Sequence, residues 1–177
     1  MRVIAGELRG RRLASPPRRS SAVRPTSDRV REALFSILRD VAGTGVLDLF
    51  TGTGALAIEA LSRGARRAVL VDTQVSLARR NVRELGIEDR AEIVRADALR
   101  YLRDARERFD LVFCDPPYRL ADRLEGELDS LIADRLAEGG RLIVETAARR
   151  PLELGMPLLA ERRYGDTLIR IHDRGGR

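Results

Sequence analysis

The chain is expected to fold as an α/β protein around a mostly parallel seven-stranded sheet, with helices on both faces and an antiparallel hairpin at its carboxyl end. Three observations lead there. Five short apolar runs alternate with segments of helical period, the pattern of a parallel sheet with right-handed crossovers. Two further strand-like runs, Leu158–Tyr164 and Thr167–His172, flank Gly165-Asp166 with no helix between them, so they pair as a hairpin. The basic surplus is confined to the amino end: residues 1–31 hold nine arginines against Glu7 and Asp28, while the remaining arginines and acids nearly cancel. This divides the chain into a short basic arm or hairpin at residues 1–26 and a single body at 27–177.

The elements follow in order. Arg2–Ala5 and Arg11–Ala14, around Gly6 and Gly10, suit a hairpin, and the Ser-, Pro- and Arg-rich stretch 15–26 reads as loop. Ser27 or Asp28 can cap a helix running to about Val41, with Val30, Ala33, Leu34, Ile37 and Leu38 on one face. Strands are expected at Gly45–Phe50, Ala68–Asp72, Ala91–Ala96, Phe109–Asp115 and Arg141–Thr146. Helices are expected at Ala55–Arg63, Gln74–Leu85, Ala98–Ala105 and Leu120–Ala137.

Composition excludes several classes. A 177-residue chain that is 44% hydrophobic can bury a core and is not disordered. One cysteine cannot form an internal disulfide, one histidine makes a zinc or iron site improbable, and no apolar run reaches membrane-spanning length. The chain is expected to be cytoplasmic, metal-free and monomeric. All 33 basic residues are arginine, which we attribute to base composition rather than function. A net charge of +7 over residues 1–31, against a nearly neutral remainder, points to phosphate-bearing partners.

The chemistry gathers at strand ends. Val46-Leu47-Asp48-Leu49-Phe50-Thr51-Gly52-Thr53-Gly54-Ala55 reads as a buried strand, a glycine turn and a helix start. Asp72 and Asp97 close the next two strands, where carboxylates suit ribose hydroxyls and an adenine amine. Asp115-Pro116-Pro117-Tyr118 closes the fourth. Proline fixes the backbone there, so a carboxylate, the Pro116 carbonyl and a flat ring are offered to one planar amine. Two cofactors compete for the glycine turn. Gly52-x-Gly54-x-x-Ala57 with Asp72 approaches a dinucleotide fingerprint but lacks its third glycine. Asp48, where a dehydrogenase strand is usually apolar, suits a cationic ligand carrying an amino acid, such as S-adenosylmethionine.

Together, Asp48-x-Phe50-x-Gly52-x-Gly54, Asp72, Asp97-Ala98 and Asp115-Pro116-Pro117-Tyr118 resemble the ordered motifs of Rossmann-like amino-methyltransferases. Arg2-Val3-Ile4-Ala5-Gly6, Gly10-Arg11-Arg12-Leu13 and Arg24-Pro25-Thr26 through Phe35 are similar to the RsmD family. That resemblance implies an enzyme transferring a methyl group from S-adenosylmethionine to the N2 amine of one guanine in 16S ribosomal RNA, within the small subunit or its precursor. It implies that Asp48, Phe50, Gly52 and Gly54 wall the methionine end, Asp72 binds ribose, and Asp97 with the Ala98 amide holds adenine. It assigns the guanine to Asp115, Pro116 and Tyr118. Arg9, Arg11, Arg12, Arg18, Arg19 and Arg24, with Thr26 and Arg29, are the expected RNA contacts. Ser36 and Asp72 depart from the family, whose members usually carry Asn and commonly Glu at those places. The alternatives are an adenine-N6 methyltransferase on DNA, a catalytically silent assembly factor and, more distantly, an NAD oxidoreductase.

Overall fold

The computed structural model describes residues 1–16 and 28–174, with 118–125 described by their helical backbone. Its strands are β1 (Gly45–Leu49), β2 (Arg67–Asp72), β3 (Ala91–Arg95), β4 (Phe109–Cys114), β5 (Leu136–Ala147), β6 (Leu158–Tyr164) and β7 (Thr167–Asp173). They form one sheet in the order β3-β2-β1-β4-β5-β7-β6, parallel except at β7, which runs antiparallel to both β5 and β6. The helices are α1 (Asp28–Leu38), α2 (Ala55–Ser62), α3 (Ser76–Leu85), α4 (Ala98–Asp104) and α5 (Tyr118–Arg135). Among the described residues no helix is long and apolar enough to cross a membrane.

The sheet separates two apolar cores. One, with Leu34, Phe35, Ile58, Leu61, Leu70 and Phe113, lies under α1, α2 and α3. The other, with Leu47, Leu102, Val112, Leu128 and Ile132, lies under α4 and α5. β1 is buried along its whole length because it is covered on both faces, as a central parallel strand must be. The chain leaves β1 toward β2 and β3 on one side, whereas β4 pairs on the other, with Asp48 beside Phe113. The topological switch therefore falls between β1 and β4, and their carboxyl ends open onto one crevice.

Several boundaries differ from the sequence expectation. α1 stops at Leu38, three residues early, because Arg39 turns left-handed at φ 61 and Asp40 Oδ1 accepts the Ala42 N–H to start a turn. α3 begins at Ser76 because the Asp72 carboxylate holds the preceding turn through Gln74 N. β5 begins at Leu136, five residues before expectation. Leu136 pairs with Phe109, the register then shifts, and Gly139 at φ 69 lets the strand bend before Arg141 pairs with Leu111.

Residues 1–16 are built into the body. Val3 N donates to Arg11 O and Gly10 N to Val3 O, closing a short hairpin whose Val3 and Leu13 are buried in the first core. Glu59 on α2 is only 1% exposed, and its carboxylate accepts Ile4 N at 2.8 Å and Ala5 N at 3.0 Å. Arg31 of α1, wholly buried, donates to Arg2 O and pairs with Asp28. Gly6 lies so close to α2 that a Cβ would stand 1.7 Å from Ser62 O.

Candidate functional site

The crevice is framed by the ends of β1, β2, β4 and β5. At the end of β1 Phe50 takes a left-handed φ of 59 and Gly52 one of 55, so the chain reverses within three residues. Gly54, at φ 79, opens α2. An L side chain is strained at that φ, and its Cβ would press on Leu70 Cδ2 at 2.8 Å, so glycine suits this turn against β2. Asp48 is buried beneath the turn. Its Oδ2 accepts Thr51 Oγ1 at 2.7 Å and Ala57 N at 3.2 Å, which fixes the carboxylate against the first turn of α2. Asp72 accepts Gly52 N at 2.9 Å on one oxygen and Gln74 N at 2.9 Å on the other, tying the glycine turn to the end of β2. Asp97 is exposed and caps α4, its Oδ1 accepting Arg100 N at 3.1 Å, with Ala98 buried behind it.

Asp115 follows β4 directly, and Pro116 after it is buried. Burial, with the nearby carboxylates of Glu145 and Asp48, pushes the Asp115 carboxyl well above the usual range. Burial, reinforced by Asp72, likewise raises Asp48 to about 7, against the opposing hydrogen bonds from Thr51 and Ala57. Sequence reasoning missed Glu145. It is the acid that follows Val144 of β5, which pairs with Cys114, so it stands beside Asp115 on the neighbouring strand. An acid near the end of an apolar strand was its available signal, obscured because the pairing of β4 with β5 is tertiary. Thr51 and Asn81 were missed as well. Asn81 of α3 donates to Thr53 O inside the glycine turn at 2.8 Å.

The fit to a cationic nucleotide can be tested on this donor set. Burial with the carboxylates of Glu145 and Asp48 raises the proton affinity of Asp115, and burial with Asp72 raises that of Asp48, so the crevice is short of positive charge. A ligand with a sulfonium and an ammonium would relieve that repulsion, whereas a dinucleotide pyrophosphate would add to it. The residues present fit S-adenosylmethionine.

Of the expected RNA contacts, Arg9, Arg12 and Arg29 are exposed. Arg11 is also exposed, but its Nη2 donates to Glu84 O at 2.8 Å and so helps to hold the hairpin on α3. Arg18, Arg19, Arg24 and Thr26 lie outside the described residues. Ser36 donates to Glu32 O within α1 at 2.9 Å.

The profile of the RsmD family, described as "Conserved hypothetical protein 95", matches residues 1–173. The ribosomal RNA small subunit methyltransferase D of Escherichia coli K12 is 34% identical over 186 residues, covering 98% of this chain and 90% of that protein. The chain belongs to the RsmD family. The solved structure of yhhF from Escherichia coli superposes on this RsmD-family fold with a TM-score of 0.84 at 32% identity, covering 100% of this chain and 99% of that one. A Salinibacter ruber RNA methyltransferase solved with S-adenosyl-L-homocysteine has a TM-score of 0.67 at 20% identity, over 87% of this chain and 95% of that one. At that identity the likeness is one of fold.

Proposed function

We propose that this RsmD-family chain is an S-adenosylmethionine-dependent methyltransferase acting on the N2 amine of one guanine in 16S ribosomal RNA of the small subunit. The observation that carries the reading is the meeting of Asp48, Asp115 and Glu145 at one crevice beside a glycine turn, with Pro116 next to them. The small-subunit assignment draws on the name of the Escherichia coli relative.

Bound S-adenosylmethionine would supply an electrophilic methyl group on a sulfonium. Asp48 would face its amino-acid end, Asp72 its ribose, and Asp97 with Ala98 its adenine. The guanine amine is a poor nucleophile because its lone pair is delocalised into the ring. The Asp115 carboxylate and the Pro116 carbonyl would accept its two N–H bonds and aim the lone pair toward the glycine turn. Tyr118 would stack on the base, which must leave its helix at a cost of a few kcal/mol. Orientation and electrostatics of this kind supply up to roughly 7–11 kcal/mol. The raised proton affinity of Asp115 suits it to take the proton shed after methylation.

The test is to incubate the protein with small subunits lacking the modification and methyl-tritiated cofactor, then map the label on 16S RNA. Label on one guanine N2 is expected. Label on adenine or on DNA, or none at all, overturns the assignment.

A further inference from the structure

We infer that Asn81 is a positioning residue for methyl transfer, which ties the arm to the glycine turn so that RNA on the arm and cofactor at the turn bind cooperatively. The inference rests on the RNA-methyltransferase reading above and adds a coupling that the reading does not require.

Asn81 is 1% exposed, on the face of α3 turned toward the body. Its Oδ1 accepts Ala14 N at 2.7 Å, and its Nδ2 donates to Ala14 O at 3.1 Å and to Thr53 O at 2.8 Å. One planar amide thus holds both polar groups of an arm residue and one carbonyl of the cofactor turn. Thr53 stands between Gly52 and Gly54, the two left-handed glycines that shape that turn. Because the amide is rigid, a shift of Ala14 swings Nδ2 relative to Thr53 O, and a shift of the turn does the reverse. A buried amide left half-paired is costly, so the two segments move together or not at all. One turn further along α3, Glu84 O accepts Arg11 of the same hairpin, and Arg90 beyond the helix pairs with Glu7. The hairpin that carries the exposed Arg9 and Arg12 is therefore fixed to the helix that supports the turn. If a ligand on one segment changes the affinity for a ligand on the other by some factor, the second ligand changes the affinity for the first by the same factor.

A merely structural asparagine would lower stability without altering any ratio of affinities. The experiment measures the dissociation constant of labelled S-adenosylhomocysteine by equilibrium dialysis, alone and with saturating small subunits lacking the modification. In the wild-type chain the subunits should tighten it by about 5-fold or more, the lower end of usual coupling. In Asn81→Ala the ratio should fall to about 1. Leu128→Ala, in the other core, should lower the melting temperature and keep the ratio. A ratio of one in the wild type, or an unchanged ratio in Asn81→Ala, overturns the inference. Hydrogen exchange on the wild type covers the case of a variant that does not fold: saturating S-adenosylhomocysteine should slow exchange at Leu13 and Ala14, and no change there overturns it equally. If the wild type binds neither ligand, the proposed function itself falls, and the inference with it.

Discussion

Replacing Asp48 with Asn should stabilise the empty protein and weaken its hold on cofactor. Asp48 is 2% exposed, and burial with the Asp72 charge raises its carboxyl from 3.8 to about 7, although Thr51 and Ala57 donate to it. The folded state therefore binds this proton more tightly than the unfolded chain. The sign follows: the group's stabilisation is complete below pH 3.8 and drains away as the pH rises to about 7. The whole difference is on the order of 4 kcal/mol, of which about 2–3 kcal/mol falls between about pH 5 and about pH 8. Asparagine carries no charge and can still accept both hydrogen bonds through its carbonyl oxygen, so the variant escapes that loss. At this chain length 1 kcal/mol moves the melting temperature by about 2–4 °C. The melting temperature of Asp48→Asn minus wild type, followed by circular dichroism on the cofactor-free proteins, should climb by roughly 5–10 °C from about pH 5 to about pH 8. The same variant should bind S-adenosylmethionine less tightly, and the deficit should be larger at about pH 8, where the wild-type carboxylate is ionised. A melting difference that stays flat across this range refutes the buried, uncharged-leaning carboxyl. Undiminished affinity at the upper pH removes Asp48 from the cofactor site.

Asp115→Ala should abolish methyl transfer; turnover above about a tenth of wild type would contradict the amine-orienting role, since losing one such contact costs roughly 100-fold or more. Charge reversal of Arg9 and Arg12, both exposed, should weaken binding to small subunits and reduce the salt slope by about 0.9 per lost phosphate contact, with the melting temperature unchanged. An identical slope in a filter-binding titration would make the arm's charge irrelevant. Gly6→Ala should undock the hairpin, because a Cβ would meet Ser62 O at 1.7 Å. Gly10→Ala, at the same φ of 83 with nothing within 4 Å, should cost only about 1–2 kcal/mol of backbone strain. Equal losses in denaturant melts would show that the contact with Ser62 does not matter.

The sequence by itself determined the alternation of elements and the ends of the strands. Those are local properties: β1 is a continuous apolar run, the glycines of the turn need left-handed φ, and Asp115-Pro116-Pro117 cannot continue as helix. It also placed Asp48, Asp72, Asp97 and Asp115 at successive strand ends, where a parallel sheet opens onto its crevice. Strand order was decided in three dimensions, and with it the company each acid keeps. Glu145 comes to stand beside Asp115 because β5 pairs with β4, and the charge balance of the crevice changes with that pairing. The amino-terminal segment shows the same division. Composition saw a basic arm, because charge is written residue by residue. Only packing showed Val3 and Leu13 in the core, Glu59 holding two backbone N–H groups of the hairpin and Asn81 joining Ala14 to Thr53. Those partners lie more than fifty residues apart from the hairpin, and buried backbone groups must find acceptors wherever the fold delivers them.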